Sequence, residues 1–264
     1  MNMIPKVIHY TWFSGDEMPP KIKACMKSWE KVLPDYELKL WDMEAIKDIE
    51  SEFLREALSV KKWAYAADFV RLYALYHEGG VYLDTDVMVY KSFDDLLTNH
   101  VFIGKEDSLH FSGLGSKGAQ YLSSHCMGAE KGSNFIKDCL DYFEDRHFIL
   151  SQNERLPQSL RYNMVLLPYI QAVIAQGYGY KWSPKIQKIQ YCKDELVIYP
   201  TDWFCGFSYI KESYCQHFSL GGWRENYNQY AFSDSYKQKL SKKMKSFLRK
   251  LTLKFSYVIM KVDA

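Results

Sequence analysis

Apolar and polar residues recur along this chain with two periods, one of strands and one of helices. Residues 4–12, IPKVIHYTW, are β-branched and aromatic after Pro5 and give way to a Ser-Gly turn, which predicts a first strand. In PPKIKACMKSWEKVL the apolar positions Ile22, Met26, Trp29 and Val32/Leu33 fall at helical spacing, opened by Pro19-Pro20 and ended before Pro34. YELKLWD alternates and predicts a second strand. Residues 42–80 read as two or three helices closed by Gly79-Gly80, and VYLDTDVMVY as one further strand. The order β-α-β-α-β predicts an α/β fold with a mainly parallel mixed sheet flanked by helices, and ligands at the carboxyl ends of its strands. After residue 100 the pattern weakens. HVFIGKED predicts a strand, SHCMGAEKGSNFIKDCLDYFED a turn and helix, NMVLLPYIQAVIAQGYG a helix, and ELVIYP and YCQHFSLGGW late strands.

At 264 residues, 47% of them hydrophobic, the chain can bury a sizeable core. Tyr and Trp number 21 and 7, a supply of rings with polar handles that suits sugar and nucleobase contacts as well as core filling. The six cysteines form no C-x-x-C pair and no metal-finger spacing, so they read as reduced thiols of a cytosolic protein. No signal-peptide pattern and no uncharged apolar run of spanning length is present, so an exported or bilayer-spanning chain is not expected. Charge is unevenly spread. Residues 233–264 hold nine basic residues against Asp234 and Asp263, a net +7, which leaves −5 for residues 1–232. The expected organisation is therefore a domain over 1–232 and a basic amphipathic tail helix over 233–264. Leu240, Met244, Phe247, Leu251 and Phe255 lie on one stripe of that helix, which suits an anionic membrane surface. A helix packed on the domain is the other reading. No nucleic-acid-binding motif accompanies the charge.

The chemistry concentrates in DFVRLYALYHEGGVYLDTDV. On one continuous strand Tyr82, Asp84, Asp86 and Met88 would share a face, with successive carboxylates roughly 6.5–7 Å apart. That spacing suits one carboxylate on a divalent cation and its neighbour reaching it through water or gripping a ligand hydroxyl, and oxygen ligands favour a hard ion, Mg2+ or Mn2+; a bare D-x-D also occurs by chance in proteins without such a site. Asp68 and Arg71, at i and i+3, share a helix face. They read either as a surface ion pair or as a grip on sugar hydroxyls and phosphate, and spacing alone leaves both open.

The combined pattern D-x-x-R then G-G-x-Y-x-D-x-D, carried by Asp68, Arg71, Gly79, Gly80, Tyr82, Asp84 and Asp86, resembles the D-x-D region of glycosyltransferase family thirty-two. Yeast-type mannosyltransferases and bacterial capsule enzymes belong to that family, and large clostridial glucosylating toxins share the motif. IPKVIHYTWFSG and SWEKVLPDYELKLWD are similar to the bacterial members, and the resemblance is good over residues 4–97. It implies a GT-A type fold and a retaining, metal-dependent hexosyltransferase of cell-surface polysaccharide synthesis. The donor would be a nucleoside-diphosphate sugar, UDP-linked by expectation, and the acceptor a glycan, lipid-linked by expectation. By the same resemblance Trp12 would stack on the nucleobase, Asp68 and Arg71 would hold the donor sugar, and Tyr82 would lie near the nucleotide. Asp86 would be the principal ligand of Mn2+ or Mg2+, with Asp84 at the ribose or the metal shell. HFSLGGW is similar to the family's late His-x-x-x-x-Ser-Trp segment, which assigns His217 to the metal and Trp223 to the nucleotide. Gly222 stands in the serine's place, where a backbone N–H would approach the diphosphate instead. The implied location is cytoplasmic, peripheral on the inner face of the cell membrane.

Three rival readings remain. A strand ending in D-x-D also opens haloacid-dehalogenase-type phosphohydrolases, but those want Thr or Val where Met88 stands, and the motif would open the domain. A sugar-nucleotide-binding protein without transfer activity is compatible with Gly222. A protein-glycosylating effector would need a translocation or receptor-binding segment that the sequence does not display. His9 and His77 read as structural.

Overall fold

The computed structural model describes residues 3–106, 121–183, 186–205 and 212–220. Their elements follow in chain order: β1 (Val7–Thr11), α1 (Pro20–Val32), β2 (Glu37–Trp41), α2 (Glu52–Ser59), α3 (Trp63–Glu78), β3 (Gly80–Leu83), β4 (Val87–Val89), β5 (Val101–Lys105) and β6 (Leu122–Ala129). Then come α4 (Asn134–Asp141), α5 (Gln158–Arg161), α6 (Leu167–Gly177), β7 (Gln190–Tyr191), β8 (Leu196–Tyr199), α7 (Thr201–Phe204) and β9 (Cys215–His217). Seven strands form one sheet in the order β2-β1-β3-β6-β5-β8-β7, and β4 pairs with β9 in a second, small sheet. β1 is parallel to β2 and β3, and β5 to β8. β6 opposes both β3 and β5, and β7 opposes β8. Five strands of the large sheet thus share one direction, which makes the α/β fold with a mainly parallel mixed sheet that the sequence predicts.

Strand alternation sends side chains into two cores. Tyr82, Ile103 and Ile198 enter a core shared with Phe53, Phe69, Leu72 and Ile136 of α2, α3 and α4. Val81, Leu83, Phe102 and Val197 enter the opposite one, with Trp29 of α1 and Phe204 of α7. Trp29 is fully buried and its indole N–H donates to Val87 O at 2.7 Å, which ties α1 to the small sheet. Helix α3 is apolar nearly all round and is buried along most of its length, as a helix between the sheet and other helices must be.

Gly79 and Gly80 join α3 to β3 with φ of 72° and 119°. A Cβ on Gly80 would meet Val7 O at 2.8 Å and His9 Nε2 at 2.9 Å. Gly80→Ala is therefore expected to lower stability by about 1–3 kcal/mol, read as a lower urea midpoint at unchanged slope. His9 closes this corner. Its Nδ1 accepts the Trp41 indole N–H at 3.1 Å and its Nε2 donates to Gly79 O at 2.7 Å, a neutral tautomer with a structural task. All six cysteines are free.

The structure corrects three sequence expectations. VYLDTDVMVY is not one strand: β3 ends at Leu83, the chain turns with Val87 N–H donating to Asp84 O at 3.0 Å, and β4 continues in the other sheet. LSSHCMGA is not a turn but β6, buried throughout, which its small and polar residues disguise. β7, absent from the sequence reading, adds an edge of two residues.

The chain divides into a unit Met1–Ser219 and a unit Leu220–Ala264. The tail helix expected over 233–264 and the residues Gly222 and Trp223 lie outside the described residues. Among the described residues no helix is long and apolar enough to cross a membrane.

Candidate active site

The carboxyl ends of β1 and β3 and the facing end of β6 bring the singled-out residues together. Asp68 and Arg71 stand one turn apart on α3 and both point inward; Arg71 is only 4% exposed, so this is no surface pair. Arg71 Nη2 lies 3.1 Å from Asp68 Oδ1 and 3.3 Å from Asp84 Oδ1. Its Nη1 donates to Ser124 O at 2.5 Å, its Nε to Ala67 O at 3.2 Å, and the guanidinium covers the Tyr82 ring at 4.5 Å. Burial alone would disfavour the cation, yet Asp84, Tyr82 and Asp68 hold its pKa above the usual arginine value. One buried cation thus binds two carboxylates, a strand carbonyl and an aromatic face.

Tyr82 is 1% exposed, and its hydroxyl bridges Thr11 Oγ1 at 3.2 Å and Asp84 Oδ1 at 3.1 Å. It therefore acts as a prop that aims Asp84, rather than as a surface for a nucleotide. Burial raises its phenol well above the ordinary range, so the hydroxyl keeps its proton. The Asp68 carboxyl is pushed up to about 7 by burial, which outweighs the downward pull of Arg71; Asp84 pushes it further up, and the Leu167 backbone N–H at the start of α6 pulls it down.

The turn after β3 places Asp86 beside Asp84. Backbone register then brings in the third member: Val87 pairs with His217 across β4 and β9, and Phe218 N–H donates to Asp86 O at 3.1 Å. His217 Nε2 lies 3.1 Å from Asp86 Oδ1 and 3.9 Å from Asp84 Oδ2. One donor atom from each of Asp84, Asp86 and His217 lies within 4.8 Å of the others. Burial works against a charged His217, but Asp86 and then Asp84 prevail and raise its pKa to about 9. The two carboxylates thus favour the charged imidazolium form of His217. Two carboxylate oxygens and one imidazole nitrogen form a donor set that fits Mn2+ or Mg2+.

Trp12 follows β1 at the same edge of the sheet, and its indole N–H donates to Asp16 O at 2.8 Å. Its hydrogen bonds do not reach the carboxylates.

The sequence reading missed the layer beneath. His125 of β6 stacks on His217 with ring centres 4.3 Å apart and planes inclined by 21°. Glu106 Oε2 stands 3.6 Å from His125 Nδ1, while Phe204 O and Cys205 Sγ stand 3.2 and 3.4 Å from Nε2. Burial, and then the charge on His217, lower the His125 pKa, which keeps that ring neutral beside a charged one. A bulge makes this possible. Pairing to β5 jumps from Ile103↔Met127 to Gly104↔Ser123, so Ser124, His125 and Cys126 have no β5 partner. Ser124 O is then available to Arg71, and His125 O accepts the Asp84 N–H at 2.9 Å. No spacing in the sequence signals it.

Residues 19–103 match the family model described as "Glycosyltransferase sugar-binding region containing DXD motif". Inositol phosphoceramide mannosyltransferase 3 of Schizosaccharomyces pombe is 34% identical over 137 residues, 50% of this chain and 35% of that protein. Mannosyl phosphorylinositol ceramide synthase SUR1 of Saccharomyces cerevisiae is 32% identical over 115 residues, 42% of this chain and 30% of that protein. The chain thus spans about a third of the length of these curated relatives. Among solved structures, the PaToxG glycosyltransferase aligns over 66% of this chain and 68% of its own at 19% identity, with a TM-score of 0.43. The matched segment, which runs from the start of α1 through the D-x-D turn into β5, is similar to the sugar-binding region of DXD-containing glycosyltransferases.

Proposed function

We propose that this chain is a metal-dependent, retaining glycosyltransferase of the GT-A type that moves a hexose from a nucleoside-diphosphate sugar to a hydroxyl of a glycan acceptor. The observation that carries the reading is the convergence of Asp84, Asp86 and His217 within 4.8 Å beside the buried Asp68–Arg71 pair. A divalent cation held by the first three would supply Lewis-acid stabilisation of charge on the departing diphosphate. Arg71 adds a fixed positive charge next to the same carboxylates and orients both Asp68 and Asp84. Asp68, when ionised, accepts hydrogen bonds from the donor sugar's hydroxyls. Retention then follows attack by the acceptor on the face the diphosphate leaves, which needs no protein nucleophile. Two relatives are named for mannose transfer, so a mannosyl donor joins the UDP-linked sugars as a first candidate. The basic stretch 233–264 keeps peripheral attachment to an anionic membrane, on the cytoplasmic side, within the proposal on charge alone.

The test is slow donor hydrolysis, which needs no acceptor. The purified chain is incubated with UDP-glucose, UDP-galactose, UDP-N-acetylglucosamine and GDP-mannose with Mn2+, and released nucleoside diphosphate is measured. One donor should be cleaved, and a chelator should stop it. Ionisation of Asp68 as pH rises creates the acceptor of hydrogen bonds, so kcat/KM should climb with pH through about 7. Cleavage of no donor, or cleavage indifferent to the chelator, overturns the reading.

A further inference from the structure

Two chain paths lead from the Asp68–Arg71 pair to one cluster of rings. Tyr121 immediately precedes β6 and lies three residues before Ser124, the carbonyl that holds Arg71, a separation of about 10 Å at strand rise. Along α6, Tyr169 lies two residues after Leu167, whose backbone N–H is close enough to Asp68 to pull its pKa down. Tyr121 and Tyr169 meet at 5.5 Å, Tyr121 and Trp182 at 5.9 Å, and Tyr169 and Trp182 at 6.0 Å, each pair edge to face. Tyr169 is nonetheless 43% exposed, and Tyr121 and Trp182 are only partly buried.

The ring cluster is held rigidly. Glu106 N–H donates to Tyr121 O at 2.8 Å, which extends the β5–β6 ladder to the ring-bearing residue. The stretch carrying Trp182 is fastened by Lys105, whose fully buried ammonium donates to Ser183 O at 3.1 Å and Ile186 O at 2.6 Å. On the other side of Trp182, Lys181 N–H donates to Gln190 Oε1 at 2.9 Å, and Tyr180 N–H to Ala175 O at 2.9 Å. A buried lysine costs free energy, and here it fixes a short stretch whose indole remains partly open. Rings held in place on rigid elements bind with little loss of side-chain freedom.

We infer that Tyr121, Tyr169 and Trp182 form the acceptor subsite, a platform for the C–H face of a pyranose placed next to the donor sugar at Asp68 and Arg71. The inference rests on the transferase reading and assigns its second substrate a place and a chemical class. A pyranose offers one apolar face of axial C–H bonds and a rim of hydroxyls, which matches rings that carry an O–H or N–H at their edge.

The probes are methyl α-mannoside, methyl β-glucoside and methyl β-galactoside, read by saturation-transfer NMR with the full chain, Mn2+ and UDP. At least one should receive saturation chiefly on the C–H protons of a single ring face. Tyr169→Ala and Trp182→Ala should each raise its Kd about tenfold, and Tyr169→Phe should restore binding to within about twofold of wild type. UDP affinity, measured by calorimetry on the same samples, should not follow those losses. The inference is overturned if no glycoside binds the wild-type chain, if both alanine variants bind as wild type does, or if glycoside and UDP affinity fall together. Absence of donor cleavage in the wild type would instead strike the transferase reading, while glycoside binding would still be measured on its own.

Discussion

Replacing Asp86 with alanine is expected to lower metal-dependent donor cleavage by on the order of a thousandfold and to leave the chain folded. Asp86 supplies one of three donor atoms at the candidate cation site and is the nearer carboxylate to His217, at 3.1 Å. Its side chain lies in a turn between two strands rather than in either core, so little apolar packing is lost. Asp86→Asn tests charge against shape, since the amide keeps the volume and loses the ionic ligand. Circular dichroism and thermal denaturation should match wild type to within a few degrees. Turnover within about tenfold of wild type, in a variant shown to be folded, would defeat the assignment of this corner as the cation site.

Arg71→Ala should damage both the fold and the activity. The guanidinium is the shared partner of Asp68, Asp84 and Ser124 O, and removing it leaves two inward carboxylates without their counter-charge. Breaking a buried ion pair from one side costs about 3–5 kcal/mol. For a unit of this size that corresponds to a fall in Tm on the order of 10 °C. Arg71→Lys keeps the charge but cannot span three acceptors from one point, so it should fold better than the alanine variant and still bind donor poorly. A double variant, Asp68→Asn with Arg71→Ala, should recover part of the lost stability, because it removes one of the stranded charges. If Arg71→Ala unfolds at the wild-type temperature, the guanidinium does not carry the corner.

These expectations draw unequally on sequence and structure. β1, α1, β2, α3 and β5 were legible because each writes its own burial into a local period of two or 3.6 residues. β6 was not legible. Its Ser124 and His125 find partners across the sheet, in Arg71, Asp84 and Phe204, and such partners leave no trace in local alternation. The turn at Asp84–Asp86 was hidden for a related reason. Val87, Met88 and Val89 look like a continuation of β3, and only pairing with β9, some 130 residues onward, draws them into a separate sheet.

From the sequence came the α/β class and the strand ends at which ligands gather, which follow from residue type and near-neighbour spacing. The set Asp68, Arg71, Asp84 and Asp86 was left open by spacing and was singled out by the resemblance to a known family. Tertiary structure alone decided that Arg71 is a buried link instead of a surface partner, that Tyr82 props Asp84, and that His125 backs His217. It also gathered Tyr121, Tyr169 and Trp182 at one edge. Desolvation and cross-sheet contact set the roles of these residues, and both depend on which distant segments pack together, a property no local window of the chain contains.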